Sequence, residues 1–223
     1  MCILLFLIFV NNIGVPVTMK AHLSVSLIAI LTGLAACDRP HSSASILPSS
    51  CRLEAGDVVF RRCSGISSTL VVHNDSDGIF SHVGIVVDSA GYPMIAHAVP
   101  DEPDFSGDPD RVKLTAPSRF YESGYAQAGA VCRPANRFVG HRAAQKALEV
   151  YRRGVLFDHD FDDKDTTRMY CTELVVHAYR AAGVELVDTH RHVVNLPLMH
   201  YRCIMPSQVL KSKYLRITQL FNS

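Results

Sequence analysis

Three side chains in this sequence have the types that nucleophilic acyl chemistry uses: His82, His97 and Cys171. In such chemistry a thiolate attacks a carbonyl carbon, an imidazole moves the proton, and a further polar group fixes that imidazole in one tautomer. Cys171, Leu174, Val175, Ala178 and Ala182 recur at the spacing of a helical stripe, which predicts an amphipathic helix from near Tyr170 to just before Gly183. Cys171 then falls in the first turn, where free N–H groups and the macrodipole favour negative charge. A neighbouring imidazolium would lower the thiol pKa into the range of about 3.5–7.5 and expose a nucleophile at neutral pH. Taken alone, a cysteine on an apolar stripe is also an ordinary packing residue.

The two histidines need elements that bring them together. The run His82 to Val87 is β-branched and continuously apolar, the pattern of a strand buried on both faces. Ser89 to Pro93 has turn chemistry and Met94 to Val99 reads as the returning strand, so a hairpin sets the two imidazoles on one face. They suit a base and its orienting partner, or equally a hydrogen-bonded pair in a core. Asp57 to Phe60 and Ala130 to Cys132 read as further strands, and Tyr214 to Phe221 as a last one. His141 to Arg153 reads as a second helix, Ser207 to Leu210 as a helical turn, and Pro100 to Asp110 as a surface loop.

Other polar groups have simpler uses. Asp158, Asp160, Asp162, Asp163 and Asp165 mimic a calcium loop, but Asp163 stands at the sixth position in place of Gly and Met169 at the twelfth in place of Glu. They read as a solvated acidic turn. Glu173 reads as a partner for a nearby base or backbone group, and Asp57 as a brace for the first strand.

Across 223 residues, 22 basic side chains nearly cancel 21 acidic ones, with no Lys/Arg block interleaved with aromatics, so nucleic acid is excluded as a partner. The length allows one domain with a real core. Its apolar excess is concentrated before residue 37, in the runs Ile3 to Val10 and Leu23 to Ala36. Neither reaches the ~20 apolar residues of a spanning helix. From Met19, a candidate true start, the order is Lys20, an apolar core and small residues ending at Cys37, which is signal-peptide order. Leu34-Ala35-Ala36-Cys37 resembles the bacterial lipobox, in which the cysteine is acylated and becomes the mature N-terminus; an ordinary cleaved signal or a short anchor helix is the other reading. Asp38 then resembles an inner-membrane retention residue.

The expected organisation is a signal peptide over 1–36, a lipidated N-terminus and flexible tether over 37–51, and a folded domain over 52–223. Of seven cysteines, Cys2 is removed or untranslated, and Cys51, Cys63, Cys132 and Cys203 either pair in one of three ways or stay free.

Read together, Gly56-Asp57-Val58-Val59-Phe60, Ser81-His82-Val83-Gly84-Ile85-Val86, Phe161-Asp162-Asp163 and Tyr170-Cys171-Thr172-Glu173-Leu174-Val175 resemble, in this order, the YaeF/YiiX-type permuted papain-like enzymes. These sit in the NlpC-type cysteine hydrolase superfamily and are related to lecithin retinol acyltransferase. Met205 to Leu210 resembles their closing segment, so the likeness runs from about Leu53 to Phe221. In the permuted branch the His strand precedes the Cys helix, as His82 precedes Cys171. Many members carry Glu as the third polar residue, whereas Ile95-Ala96-His97-Ala98 puts His there, as in many unpermuted relatives.

The resemblance implies an α+β, circularly permuted papain-like fold in which a small antiparallel sheet packs against the Cys171 helix. It implies a cysteine hydrolase, which the lipobox-like Leu34-Ala35-Ala36-Cys37 would place in the bacterial envelope, periplasm-facing and lipid-anchored through Cys37. Cys171 would attack an amide carbonyl of a peptide or lipid-amide substrate, His82 would pair with the thiolate as imidazolium and serve as base and acid, and His97 would orient His82. The Cys171 N–H is a candidate oxyanion donor. No metal or cofactor is needed. The alternatives are a lipid-directed acyltransferase or thioesterase, and a non-enzymatic zinc protein using Cys171, His82 and His97.

Overall fold

The computed structural model describes residues 44–64, 66–75, 77–161, 165, 167–188, 192–196 and 199–223. Cys37 and the whole signal segment lie outside the described residues, as do Asp162 and Asp163. Among the described residues no helix is long and apolar enough to cross a membrane. They fall within one compact unit, Ser43–Ser223.

In chain order the elements are β1 (Val58–Cys63), α1 (Ile66–Asn74), β2 (His82–Ser89), β3 (Tyr92–Val99), β4 (Arg111–Thr115), α2 (Pro117–Phe120), β5 (Ala126–Pro134) and α3 (Arg137–Arg152). After these come β6 (Leu156–Phe157), β7 (Arg168–Met169), α4 (Cys171–Ala181), β8 (His192–Leu196), β9 (Met199–Cys203), α5 (Pro206–Leu210) and β10 (Leu215–Asn222). The architecture is mixed α+β. Its sheet is larger than the small antiparallel one expected, with eight strands in the order β10-β5-β1-β2-β3-β4-β6-β7, and its β6–β7 pair is parallel. The short strands β4, β6 and β7 carry too few residues to show a period, and only their pairing defines them.

The expected hairpin forms. β2 and β3 pair antiparallel from Ser89–Tyr92 to Ile85–Ala96, and the turn uses positive φ at Ala90 and Gly91. Residues His82 to Val87 are buried throughout, as a continuous apolar run should be. α3 begins four residues before the expected His141, because the Asn136 side chain accepts from the N–H groups of Phe138 and Val139 and caps it. α4 opens at Cys171 and stops before Gly183, whose φ of +91° suits glycine.

The two faces of the sheet are covered differently. Val58, Phe60, Val83, Ile85 and Ala96 meet Ala143, Ala147, Val175, Ala178 and Tyr179 of α3 and α4. Val59, Val86, Ile95 and Val131 meet Phe120 and Tyr121 on the other side. Ile46, Leu47 and Cys51, expected within a flexible tether, pack on this second cluster, and Ile46 N–H donates to the Tyr121 carbonyl at 2.8 Å. The apolar surface of these residues holds the strap down despite its serines and prolines.

None of Cys51, Cys63, Cys132, Cys171 or Cys203 is in a disulfide, so of the two readings the structure takes free thiols. Asp158, expected in a solvated turn, is 1% exposed and accepts from the Asp160 N–H at 2.9 Å, while Asp160 lies outside the core.

Candidate functional site

The sequence words each have a mechanical use. Gly56 has φ of +96°, and a Cβ there would stand 2.4 Å from the Gly140 backbone, so only glycine lets β1 enter against α3. The Gly56 carbonyl accepts from the Tyr179 hydroxyl at 2.6 Å, tying this entrance to α4. Asp57 is the expected brace: buried, it takes both Nε and Nη2 of Arg133 at 2.9 and 2.8 Å and the Glu54 N–H at 2.8 Å.

Tyr170 and Thr172 flank the thiol and hold one neighbour. The Tyr170 hydroxyl accepts from the Ile204 N–H at 3.1 Å, and the Thr172 hydroxyl donates to the Ile204 carbonyl at 2.6 Å. The closing segment thereby clamps the start of α4. It is fixed in turn by Gln208, which accepts from the Met205 N–H at 2.9 Å, and by Asp75, which accepts from the Ser207 N–H at 3.0 Å.

Cys171 is partly exposed at the first position of α4, and the backbone N–H groups of Val83 and Thr172 act on its sulfur. Val83 can serve because the β2–β3 ladder ends at Ile85–Ala96, two residues short of it. The thiol thus sits one residue from His82, where the hairpin opens.

His82 and His97 share one face. His82 Nε2 lies 2.9 Å from His97 Nδ1, and His97 Nε2 lies 2.8 Å from the Thr115 hydroxyl. With Nε2 committed, Nδ1 is the His82 nitrogen left to exchange a proton with a thiol. Room for His97 comes from Gly84, where a Cβ would approach Ile95 Cγ2 to 2.6 Å and His97 Cβ to 3.2 Å.

Sequence reasoning missed three residues here. Arg61, with no side-chain exposure, pairs with His82 across the β1–β2 register. Its guanidinium lies 4.6 Å from the centre of the Phe120 ring, donates to the Phe120 carbonyl at 3.0 Å and Cys63 Sγ at 3.2 Å, and pairs with Glu102. Phe120 meets His97 edge-on at 5.1 Å, so the cation and the imidazole share this ring as a neighbour. Thr115 reaches His97 only through β3–β4 pairing. No local spacing signals these partners, although an arginine directly after the apolar Val58-Val59-Phe60 invites the question of its counter-ion.

The electrostatics differ from expectation. Burial first, then Arg61 and His97, pushes His82 well below the usual imidazole range, and burial, Arg61 and Lys113 do the same to His97. The Cys171 thiol is pushed up to about 12 by burial, against the pull of the Val83 and Thr172 N–H groups. Burial first, with Arg61 adding to it at the two imidazoles, thus works against the expected thiolate–imidazolium pair and favours a neutral thiol and neutral imidazoles.

The fold and site define a mixed α+β protein with a thiol at a helix N-terminus, set against the N–H of the residue that follows the first of two joined, buried histidines. Among solved structures, the crystal structure of metalloprotein yiiX from Escherichia coli O157:H7, DUF1105, is similar: TM-score 0.58, 18% identity, covering 76% of this chain and 98% of that one. At that identity the likeness is one of fold, and it agrees with the YiiX-type resemblance of the sequence words. No family model and no curated protein sequence matches the chain.

Proposed function

We propose that this chain is a cysteine acyl hydrolase with a permuted papain-like fold, Cys171 its nucleophile, His82 its base and His97 the residue that orients His82. The observation that carries the reading is the meeting of the Cys171 sulfur with the N–H of Val83, the residue after a His82 that is tied to His97 and through it to Thr115. Because both partners rest neutral, the thiol proton passes to His82 Nδ1 as the sulfur attacks. The carbonyl oxygen gains the negative charge, with the Cys171 N–H as the candidate donor to it. The His82 imidazolium returns the proton to the leaving amine, and a thioester forms. Water then gives a proton to His82 and adds to the thioester carbonyl, and the thiol leaves with that proton.

Because yiiX is a metalloprotein, a metal at such a site is the rival chemistry. Both nitrogens of His97 are engaged, one by His82 and one by Thr115, so His97 has no lone pair to share with Cys171 around an ion. Among the described residues no three His, Cys, Asp or Glu side chains are grouped as metal ligands. These residues do not fit a resident zinc, and no step runs through one.

The substrate is an amide of the bacterial envelope, most simply a peptidoglycan stem peptide, reached by a lipoprotein anchored at Cys37. Incubating the protein with muropeptides and with phospholipids, followed by mass spectrometry, tests this: peptide fragments support it, and fatty acid release redirects it to lipid esters. If both substrates stay intact and Cys171 also resists alkylation, the catalytic reading fails. For the anchor, Cys37→Ser must leave uncleaved precursor without lipid, and a mature N-terminus elsewhere removes that claim.

A further inference from the structure

Away from the histidines, at the other end of β1, three guanidinium-bearing residues converge. Arg133 near the end of β5 and Arg216 near the start of β10 stand directly opposite each other in the register, and Arg137 opens α3 three residues beyond Pro134. Like charges facing each other across strands are unfavourable unless something neutralises them. Arg133 is matched by Asp57 and Glu54, and Glu54 is shared with Arg137. Arg216 has no carboxylate partner among the described residues. A cavity of about 410 Å³ lies between them, lined by Arg133, Pro134, Ala135, Arg137 and Arg216 and by no acidic residue.

We infer that this cavity is a binding site for a phosphate group, with Arg216 and Arg137 as its principal ligands and the half-buried Arg133 as its wall. Guanidinium forks match the oxygens of a phosphate two at a time, and the Asp57 brace holds Arg133 in place without filling the cavity. The volume exceeds a bare phosphate ion, leaving room for the organic part of an ester. Close in sequence to the lining residues stand two exposed aromatics, Phe138 after Arg137 and Tyr214 two residues before Arg216, with Arg142 and Lys213 over their rings. Guanidinium groups around an open cavity suit either a soluble phosphate ester or the phosphate of a lipid headgroup. The site stands independently of Cys171 and its reaction.

Titration calorimetry of the full chain in neutral detergent with inorganic phosphate and with glycerol 3-phosphate, beside cosedimentation with phosphatidylglycerol and phosphatidylcholine vesicles, separates the two sources. Saturable binding of either soluble phosphate assigns a free ester; binding confined to phosphatidylglycerol vesicles assigns a headgroup. In both cases the Arg137→Gln/Arg216→Gln variant binds at least about tenfold more weakly, the scale of losing charge-assisted bonds. Arg216→Lys, which keeps the charge but not the fork, falls between. Circular dichroism and thermal melting check that the variants fold, which exposed positions should permit. No saturable binding to any of the four probes, or binding equal in the wild type and a folded double variant, overturns the proposal.

Discussion

His82 and His97 are joined ring to ring, Nε2 to Nδ1 at 2.9 Å, and the Thr115 hydroxyl caps the far side of His97 at 2.8 Å. The chain of three fixes which nitrogen of each ring faces which neighbour. It also leaves His97 without a carboxylate at its outer end, where one would favour a charged imidazole. Arg61, against the Phe120 ring, opposes that charge.

If His97 orients the base, His97→Ala lowers the hydrolytic rate by about tenfold or more across roughly pH 5 to 9, the scale of losing a group that acts by holding another in place. Thr115→Val, which removes only the outer hydroxyl, gives a smaller loss with the same pH profile. Rates equal to wild type in His97→Ala would make His97 a core residue and place the orienting group elsewhere.

Neutral resting partners have a kinetic signature. Alkylation of Cys171 by iodoacetamide should be slow near neutrality and rise steadily on the alkaline side, since the thiol is pushed up to about 12. A rate plateau between about pH 6 and 8, as an ion pair would produce, contradicts the neutral site. Arg61→Met, with its counter-ion removed in Arg61→Met/Glu102→Gln, should move the alkylation profile toward lower pH by easing protonation of His82.

The same depressed histidines set an acid limit on stability. Their folded pKa values lie below the unfolded value near 6.5, so the unfolded chain binds protons first as pH falls. Their contribution is present above about pH 6.5 and is lost progressively below it, toward the folded values. Urea midpoints measured from about pH 8 to 5 should fall for the wild type and fall less for His82→Gln/His97→Gln. Parallel curves would show that both rings are protonated as easily in the folded state.

Gly84 and Asp57 test the supports. Gly84→Ala drives a methyl group into Ile95 and against His97, costing about 1–3 kcal/mol and lowering the rate more than the stability loss explains. Asp57→Ala leaves Arg133 to Glu54 and removes three hydrogen bonds, costing about 2–3 kcal/mol in urea unfolding while leaving the alkylation profile unchanged. A rate unaffected in Gly84→Ala would separate this glycine from the placement of His97.

The chain itself determined the elements that carry the site. A continuous apolar run, a turn at Ala90-Gly91 and a helical stripe beginning at Cys171 are local patterns, set by side-chain period and backbone preference within a few residues, and the structure forms each of them. Burial periodicity also placed His82 and His97 on one face, because a hairpin leaves little choice of register. Tertiary structure alone decided which buried groups bear on the ionisation of the site. The position of Arg61 against Phe120, the end of the β2–β3 ladder that leaves Val83 N–H to the thiol, and Thr115 on His97 all arise from segments distant in sequence. An isolated motif can name a nucleophile and a base, but the energy of ionising them depends on every buried charge and lost water around them, and those are assembled only when the strands meet.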